Sequence, residues 1–250
     1  MLSSTQLLTA IKSIYAASRG RYGSPRIHAF LRRQGIFVSR KRVARIMQLA
    51  PIQAYSGFYF KSKRPTSTLS QPLPDLLSRS FQATAPNQIW TTDLTYCRVQ
   101  GSWVYLAVVM DLFSRKIVGW QVGKKMDSSL VIGALWKAYQ ARKPAKGLIH
   151  HSDRGSQYRS KAYQRLLANL GMRASMSRKG NCYDNAVMET FFASLKKELI
   201  RKIPFENIAD ANTKIFEYIA MFYNRERLHS TLGYRTPHEF EQSYQQQKVA

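Results

Sequence analysis

The stretch IWTTDLTYCRV, residues 89–99, sets the fold expected for the larger part of this chain. It is rich in threonine, aromatic and β-branched residues, which favour strands. Two stretches of the same character follow, WVYLAVVMDLF (103–113) and RKIVGWQV (115–122), with a turn-like Ser114–Arg115 between them. The pattern predicts three strands, of which the second and third form a hairpin.

Beyond residue 122 the apolar spacing alternates between helix and strand. Apolar residues at helical spacing predict helices over 128–142, 161–170 and 185–200. Between them, GLIHHS (147–152) and RASMS (173–177) are short enough to be strands. Strands first, then alternating helix and strand, describe an α/β domain with a mixed five-stranded sheet and flanking helices.

The first 60 residues have a different pattern, that of three short helices. The third is expected to start after Ser39, to turn Val43, Ile46, Met47 and Leu49 inward, and to present the basic residues Arg40, Lys41, Arg42 and Arg45. A basic helix behind a helix-turn is typical of major-groove binding. The alternative is a small helical bundle with a solvated basic face. Residues 61–85, rich in Ser, Thr and Pro, are expected to be a linker, with a short helix around 73–77 as an alternative.

The net charge of the chain restricts the classes of partner that it can bind. The 250 residues include 39 Lys and Arg against 14 Asp and Glu, a formal net charge of +25. Residues 1–80 hold 14 basic residues and one acid. Such an excess, spread over the whole chain, favours nucleic acid as partner over an anionic membrane, although a ribosomal protein would share it.

Targeting and redox signals are weak. No apolar run is long enough to span a membrane, no leader-like segment opens the sequence, and neither Cys97 nor Cys182 belongs to a CxxC pair. We therefore expect no membrane partner, no disulfide framework and a cytoplasmic location.

Acidic residues are scarce, so an acid inside an apolar element needs a reason. Asp93 lies within the first predicted strand, Asp153 follows GLIHHS, and Glu189 lies one turn into the last long helix, where Asn185 and Lys196 share its face. A buried carboxylate must be paired, protonated or bound to metal. Each acid also has a purely structural interpretation: Asp93 as an ion-paired strand residue, Asp153 in an Asx-turn, and Glu189 as a helix acid paired with Lys196.

Together the three carboxylates suit a pair of divalent cations about 3.5–4 Å apart. Mg²⁺ prefers such oxygen ligands and keeps waters that a phosphate can replace. Lys196 would then bind a phosphate next to the scissile one.

Other polar and aromatic residues are interpreted as structural. Asp111 is expected to fix a turn, and Asp184 to cap the Glu189 helix. His150 and His151 face opposite ways, with core or phosphate contact favoured, and His229 is expected to touch DNA or the core. The three tryptophans in predicted strands are expected in the core, with a base-stacking platform as the alternative: Trp90, Trp103 and Trp120.

Several blocks resemble a known family. WTTDLTY, HSDRGSQY and GNCYDNAVMETFFASLKKE resemble the three blocks of the DDE catalytic core shared by retroviral integrases and bacterial insertion-sequence transposases, and 35 residues separate Asp153 from Glu189. YNRERLHSTLGYRTP (223–237) resembles the tail block of the bacterial group, and RYGSPRIHAFLRR…VSRKRVARIM its helix-turn-helix. Among these proteins the chain resembles the OrfB subunit of two-frame insertion sequences.

The resemblance implies an RNase H-like core and the activity of a DDE transposase, a polynucleotidyl transferase that cleaves 3′ ends at the element's terminal inverted repeats and joins them to target DNA. It implies Asp93, Asp153 and Glu189 as catalytic residues and metal ligands, two Mg²⁺ or Mn²⁺ ions, and Lys196 as a DNA contact. It also implies a homo-oligomer acting at the nucleoid, with OrfA or an OrfAB fusion as partner.

The predicted organisation is a helix-turn-helix domain over 1–60, a linker over 61–85, an integrase core over 86–200 and a helical tail over 201–250. Two other functions remain alternatives. An RNase H-like nuclease would share the carboxylates without strand transfer, and a non-catalytic, domesticated DNA-binding protein would have no use for them.

Overall fold

A computed structural model describes residues 2–54, 74–77, 82–177 and 186–249. The chain divides into two compact units, Met1–Phe60 and Lys61–Ala250, and each is described by itself. In the described residues, no helix combines the length and apolar character needed to cross a membrane.

The first unit contains three helices, α1 (Ser4–Ala17), α2 (Ser24–Arg33) and α3 (Arg40–Leu49). Serine caps start two of them: Ser3 forms a capping box with Gln6, and the Ser39 side chain accepts a hydrogen bond from the Arg42 amide. A small core joins all three helices: Leu7, Ile11, Ile27, Leu31, Val43 and Met47 are buried. The prediction for Leu49 is wrong, because it lies off the stripe of Val43, Ile46 and Met47 and is 78% exposed.

The second unit is built on one mixed sheet. Its strands are β1 (Ile89–Val99), β2 (Ser102–Asp111), β3 (Ile117–Gly123), β4 (Ile149–Ser152) and β5 (Arg173–Met176). They lie in the order β3-β2-β1-β4-β5. β2 is antiparallel to both β1 and β3, whereas β1–β4 and β4–β5 are parallel. The predicted mixed five-stranded sheet is confirmed, and a second hairpin, β1–β2, joins the predicted one.

One face of the sheet is covered by α4 (Ser128–Arg142), α5 (Ser156–Arg159) and α6 (Lys161–Asn169). Gly119 of β3 allows α4 to approach closely, since a Cβ there would lie 2.7 Å from the Ala138 Cβ. The core beneath these helices contains Trp90, Leu94, Val109, Val131, Leu135 and Tyr163.

Another helix, α7 (Ala186–Leu195), also packs on β1. The predicted single helix over 185–200 is corrected, because the helix changes to a π-helical segment at Lys196–Ile200. The described residues after this segment include α8 (Ile208–Phe216), a π-helical segment Glu217–Tyr223, a 3₁₀ turn Ser230–Leu232 and α9 (Pro237–Val249).

Side-chain hydrogen bonds attach this tail to the sheet. The Asn224 amide accepts from the Ile117 amide and donates to the Ile117 carbonyl, both at 2.9 Å. The Glu241 carboxylate of α9 accepts hydrogen bonds from the Arg142 guanidinium of α4 and from the Lys116 ammonium, each at 2.8 Å. Residues 74–77 of the predicted linker lie beside β5, where the Met176 amide donates to the Pro74 carbonyl at 3.2 Å.

Candidate functional site

Asp93 lies in the middle of the central strand. Its side chain is only 4% exposed, and its Oδ1 accepts the Leu94 amide at 2.7 Å. Neighbouring positions on β1 alternate between the two faces of the sheet, so Asp93 shares a face with Thr91, Thr95 and Cys97. A carboxylate is therefore built into a strand that is otherwise buried.

Asp153 directly follows β4, the parallel neighbour of β1. The parallel ladder pairs Trp90 with His150 and Thr91 with His151. Asp93 and Asp153 each lie two residues beyond the Thr91–His151 pair, so the two carboxylates emerge at the same level at one edge of the sheet. Asp153 Oδ1 also accepts the Gly155 amide at 2.9 Å, which is the Asx-turn expected as its structural interpretation.

Tyr158 lies near enough to both aspartates to be affected by their charge, and the sequence analysis missed it. Its side chain is 1% exposed and lies next to the Thr92 side chain. Burial, with the Asp153 and Asp93 carboxylates nearby, raises the pKa of Tyr158 well above 10. Both carboxylates thus act on one buried hydroxyl. The sequence signal that was available is the aromatic residue closing the HSDRGSQY block.

Glu189 lies in the first turn of α7 and is half-buried. The helix buries Met188, Phe191, Phe192 and Leu195, and its contact with β1 brings it to the strand that carries Asp93. Asn185 and Asp184, predicted as a DNA contact and a helix cap, lie outside the described residues. In the described part of the chain, no three or more His, Cys, Asp or Glu side chains are grouped closely enough to hold a metal ion.

Lys196 is the first residue of the π-helical segment that follows α7. Its Nζ lies 5.3 Å from the centroid of the Tyr96 ring of β1. Burial raises the pKa of Cys97 to about 12, against the opposing influence of the Lys196 ammonium. Lys196 therefore lies beside the second half of β1, past Asp93 along the strand.

Asp111 and the three histidines that were interpreted as structural behave so. The Asp111 side chain accepts the amides of Asn87 at 2.7 Å and of Phe113 at 2.9 Å, which confirms its turn role. His150 and His151 are each 1% exposed; the first contacts the Tyr163 hydroxyl at 3.2 Å and the second the Ser175 hydroxyl at 2.9 Å. His229 is 7% exposed and packs edge-on against Tyr223, so its core interpretation is confirmed.

The basic helix α3 supplies a separate positive surface in the first unit. Arg40, Lys41 and Arg45 are exposed, whereas Arg42 is half-buried. The Arg42 guanidinium donates to the Leu2 carbonyl at 3.3 Å, so part of its hydrogen-bonding capacity serves the unit itself. The three exposed cations are available to a polyanion.

Comparison with known proteins matches both units. An "HTH-like domain" family matches residues 3–56, and two families described as "Integrase core domain" match residues 83–182 and 170–237. The chain is 44% identical over 234 residues to the transposase for insertion sequence element IS904 of Lactococcus lactis subsp. lactis (strain IL1403), covering 92% of this chain and 91% of that protein. The chain belongs to the insertion-sequence transposases.

Within that family the IS3 group is represented. Transposase InsF for insertion sequence IS3A of Escherichia coli (strain K12) is 40% identical over 236 residues, which cover 93% of this chain and 81% of the relative. The insertion element IS600 uncharacterized 31 kDa protein of Shigella sonnei is 40% identical over 98% of this chain and 90% of the relative. The chain is a DNA-binding, DNA-cutting and strand-transfer enzyme of this group, and a plain RNase H-like nuclease or a non-catalytic regulator is not favoured.

A solved structure shares the fold. The simian T-cell lymphotropic virus intasome, solved in complex with PP2A regulatory subunit B56 gamma, aligns over 92% of the transposase and 74% of its own chain, with a TM-score of 0.54 and 16% sequence identity. The likeness supports the integrase-type, RNase H-like fold predicted from the strand pattern.

Proposed function

We propose that Asp93, Asp153 and Glu189 are the catalytic residues of this transposase and hold two divalent cations, Mg²⁺ or Mn²⁺, while it cuts and joins DNA at the ends of an insertion sequence. The observation that carries the proposal is the equal offset of Asp93 and Asp153 on adjacent parallel strands. Functional groups of α/β sheets gather at the carboxyl ends of parallel strands, where loops are free to receive a ligand.

The donor chemistry fits a hard cation. Two carboxylates directed at one edge, both acting on the buried Tyr158 hydroxyl, repel each other unless a positive charge lies between them. Carboxylate oxygens are the ligands that Mg²⁺ prefers. When bound, the cations would activate a water or 3′-hydroxyl and neutralise charge on the leaving oxygen.

Glu189 completes the set in this proposal. Bringing a third carboxylate to two others is unfavourable without cations, so electrostatics favours a looser arrangement in the metal-free chain. Because α7 packs on β1 and carries Glu189 in its first turn, Glu189 lies on an element adjacent to the strand of Asp93.

Basic residues of both units would contact the DNA. Lys196, seven residues after Glu189, would bind a backbone phosphate next to the scissile one. Arg40, Lys41, Arg42 and Arg45 of α3 would contact the terminal inverted repeats, with Arg42 contributing least because it already donates to Leu2. Asn185 is included in the proposed DNA contacts on its sequence position alone.

The proposed assembly follows the family resemblance. The active form would be a homo-oligomer that holds element ends and target DNA together, with OrfA or an OrfAB fusion assisting end recognition. It would act on DNA at the nucleoid, in the bacterial cytoplasm. Within the chain, residues 1–60 would bind the ends, 61–85 would link, 86–200 would catalyse and 201–250 would support the core.

A strand-transfer assay tests the proposal. The protein, with and without the upstream-frame partner, is incubated with labelled element ends, target DNA and Mg²⁺, and nicked and joined products are separated. We expect both products from the parent and neither from Asp153→Asn. Asp210→Asn, which alters a half-buried acid of α8, serves as the matched control and should retain both.

Three outcomes would contradict the proposal. Joined products that survive Asp153→Asn would remove the residue from the catalytic set. Nicks without joining, under conditions in which the relatives' ends are joined, would favour the nuclease. Products formed equally in excess chelator would exclude the cations.

A further inference from the structure

Two aromatic side chains stand out on the surface of the β1–β2 hairpin. Tyr96 is 43% exposed and Trp103 is 51% exposed. Their ring centroids are 5.1 Å apart and the rings are nearly perpendicular, at 81°. The pair is here called the hairpin aromatic pair.

The position of Trp103 corrects the sequence interpretation that placed it in the core. The antiparallel register sets Trp103 opposite Arg98, close to the end of the hairpin, whereas Leu94 and Ala107 of the same face lie deeper, under the helices. The covering helices end before the hairpin does. A large aromatic surface is therefore left open to solvent, which costs free energy unless something covers it.

The surroundings of the pair are basic. The Lys196 ammonium lies 5.3 Å from the Tyr96 ring centroid, and Arg98, on the same sheet face as Trp103, is exposed. Aromatic faces between cations are the composition of single-strand nucleic-acid surfaces, where bases stack and the cations meet phosphates.

Lys196 links the pair to the acids. Tyr96 is three residues beyond Asp93 on β1, about 10 Å along the strand at 3.3 Å per residue, and it points to the opposite face of the sheet. The Lys196 ammonium, which the proposed function places at a phosphate next to the scissile one, lies 5.3 Å from the Tyr96 ring centroid. A DNA strand that reaches Lys196 would therefore also come within reach of the hairpin aromatic pair.

We propose that the hairpin aromatic pair is a stacking platform for a base of the DNA strand held at the acids, close to the scissile phosphate and separated from its complement. Trp103 supplies the stacking surface, Tyr96 fixes its orientation, and Lys196 and Arg98 neutralise the adjoining backbone. This role rests on the proposed DNA-end chemistry at Asp93, and it assigns a function to residues outside the acidic set.

Binding measurements with modified DNA ends test the platform without requiring cleavage. Element ends carrying 2-aminopurine at successive positions near the cut are titrated with the full chain in chelator, so that only binding is observed. We expect one position at which parent protein changes the 2-aminopurine fluorescence and Trp103→Ala does not. Loss of one stacked base should weaken binding of that end about 5- to 100-fold.

Removing the base from the DNA provides the counterpart to removing the ring from the protein. On an end that lacks the base at the identified position, Trp103→Ala should bind as the parent does. Trp103→Phe, which keeps a ring, should stay close to the parent on both ends. The matched control is Trp136→Ala, because Trp136 is 46% exposed and stacks on Tyr139 at 6.0 Å, on α4.

Three results would overturn the platform. The first is an equal loss on intact and abasic ends, and the second an equal loss for Trp136→Ala. The third is a Trp103→Ala protein whose oligomeric state changes in sedimentation, which would make the pair an interface between copies. Failure of Mg²⁺-dependent cleavage alone would count against the proposed catalytic acids and leave this binding result standing.

Discussion

Asp93 and Asp153 lie at equivalent positions on two adjacent parallel strands, each two residues past the Thr91–His151 pair. One comes from the middle of an eleven-residue strand and the other from the turn after a four-residue strand. A strand residue and a turn residue lie at the same level because β4 ends just before Asp153, whereas β1 continues past Asp93. The half of β1 that continues past β4 thus carries Asp93 on one face of the sheet and Tyr96 on the other.

The first prediction concerns the charge of this pair. Asp93→Asn removes one of two mutually repelling carboxylates, so we expect the metal-free variant to be as thermally stable as the parent, or more so. The parent should gain about 2.7 kcal/mol of stability at a Mg²⁺ concentration one hundred times the dissociation constant, and the variant should lose that gain. Thermal melts with and without Mg²⁺ measure both quantities.

Asp210→Asn is the control for this experiment, because Asp210 lies on α8 and pairs with Lys214 at 2.8 Å. It should keep the Mg²⁺-induced shift. A full shift in Asp93→Asn would show that the cation binds elsewhere.

The sequence predicted the parts of this fold that depend on local pattern. The period-two and β-branched stretches gave β1, β2 and β3, and the strand-then-acid pattern of GLIHHSD placed Asp153 after a strand. Asp93 was recognisable because an acid inside an apolar strand is costly. These signals are local, so one sequence suffices to read them.

The remaining features depend on distant contacts. Tyr158 became a neighbour of both aspartates only through the β1–β4 pairing, and Glu198 is buried because Arg227 and Tyr218 reach it from the tail. Trp103 has the composition of a core residue, yet its exposure depends on where the covering helices end. No local pattern reports these three facts.

The second prediction concerns the turn that holds Asp153. A Cβ at Gly155 would lie 2.9 Å from Asp153 Oδ1 and 2.9 Å from Gln157 Oε1. Gln157 is a flexible side chain that moves away, whereas the carboxylate is also held by the Gly155 amide. We expect Gly155→Ala to displace the Asp153 carboxylate and lower strand-transfer activity at least tenfold, with a stability change below about 1 kcal/mol.

Activity and urea denaturation measured on the same preparation check this expectation. Gly147→Ala is a different glycine change, at a positive φ of 94° with open space around it, and should lose stability rather than activity. Parent-level activity in Gly155→Ala would mean that the carboxylate tolerates the shift.

The third prediction concerns pH. Although burial acts to raise the pKa of Glu241, the Arg142 and Lys116 hydrogen bonds hold it below the ordinary value. An acid whose pKa is lower in the folded than in the unfolded protein stabilises the fold at pH values above the unfolded pKa of about 4.3. This stability is lost as the pH falls through the folded pKa. Glu241→Gln should therefore cost about 2–3 kcal/mol at pH 7 and much less at pH 3.

Denaturant melts of both proteins from pH 7 to pH 3 measure the difference. Burial raises the pKa of Asp111 and the Glu241 carboxylate raises it further, so Glu241→Gln also lowers the pKa of Asp111 and the measured difference contains both contributions. A constant difference between parent and Glu241→Gln across the pH range would contradict the ion-pair role.

The last prediction concerns the buried pair Glu198–Arg227, which joins the tail to the helix that continues from α7. Burial acts to lower the pKa of Arg227, but Glu198 outweighs it and keeps the guanidinium charged. Arg227 Nε donates to Glu198 Oε2 at 2.9 Å, and Arg227 Nη2 donates to the Ser194 hydroxyl at 2.9 Å. The Tyr218 hydroxyl donates to the Glu198 carboxylate at 2.8 Å.

Arg227→Gln leaves the Glu198 carboxylate buried without its cation, so we expect a loss of about 3–5 kcal/mol in the free energy of unfolding. Glu198→Gln should cost a similar amount. The double variant should lose clearly less than the two single losses combined, because neither charge is then left alone. Arg225→Gln, an exposed neighbour, is the matched control and should change stability by less than about 0.5 kcal/mol. Additive losses in the double variant would show that the two residues stabilise the tail independently.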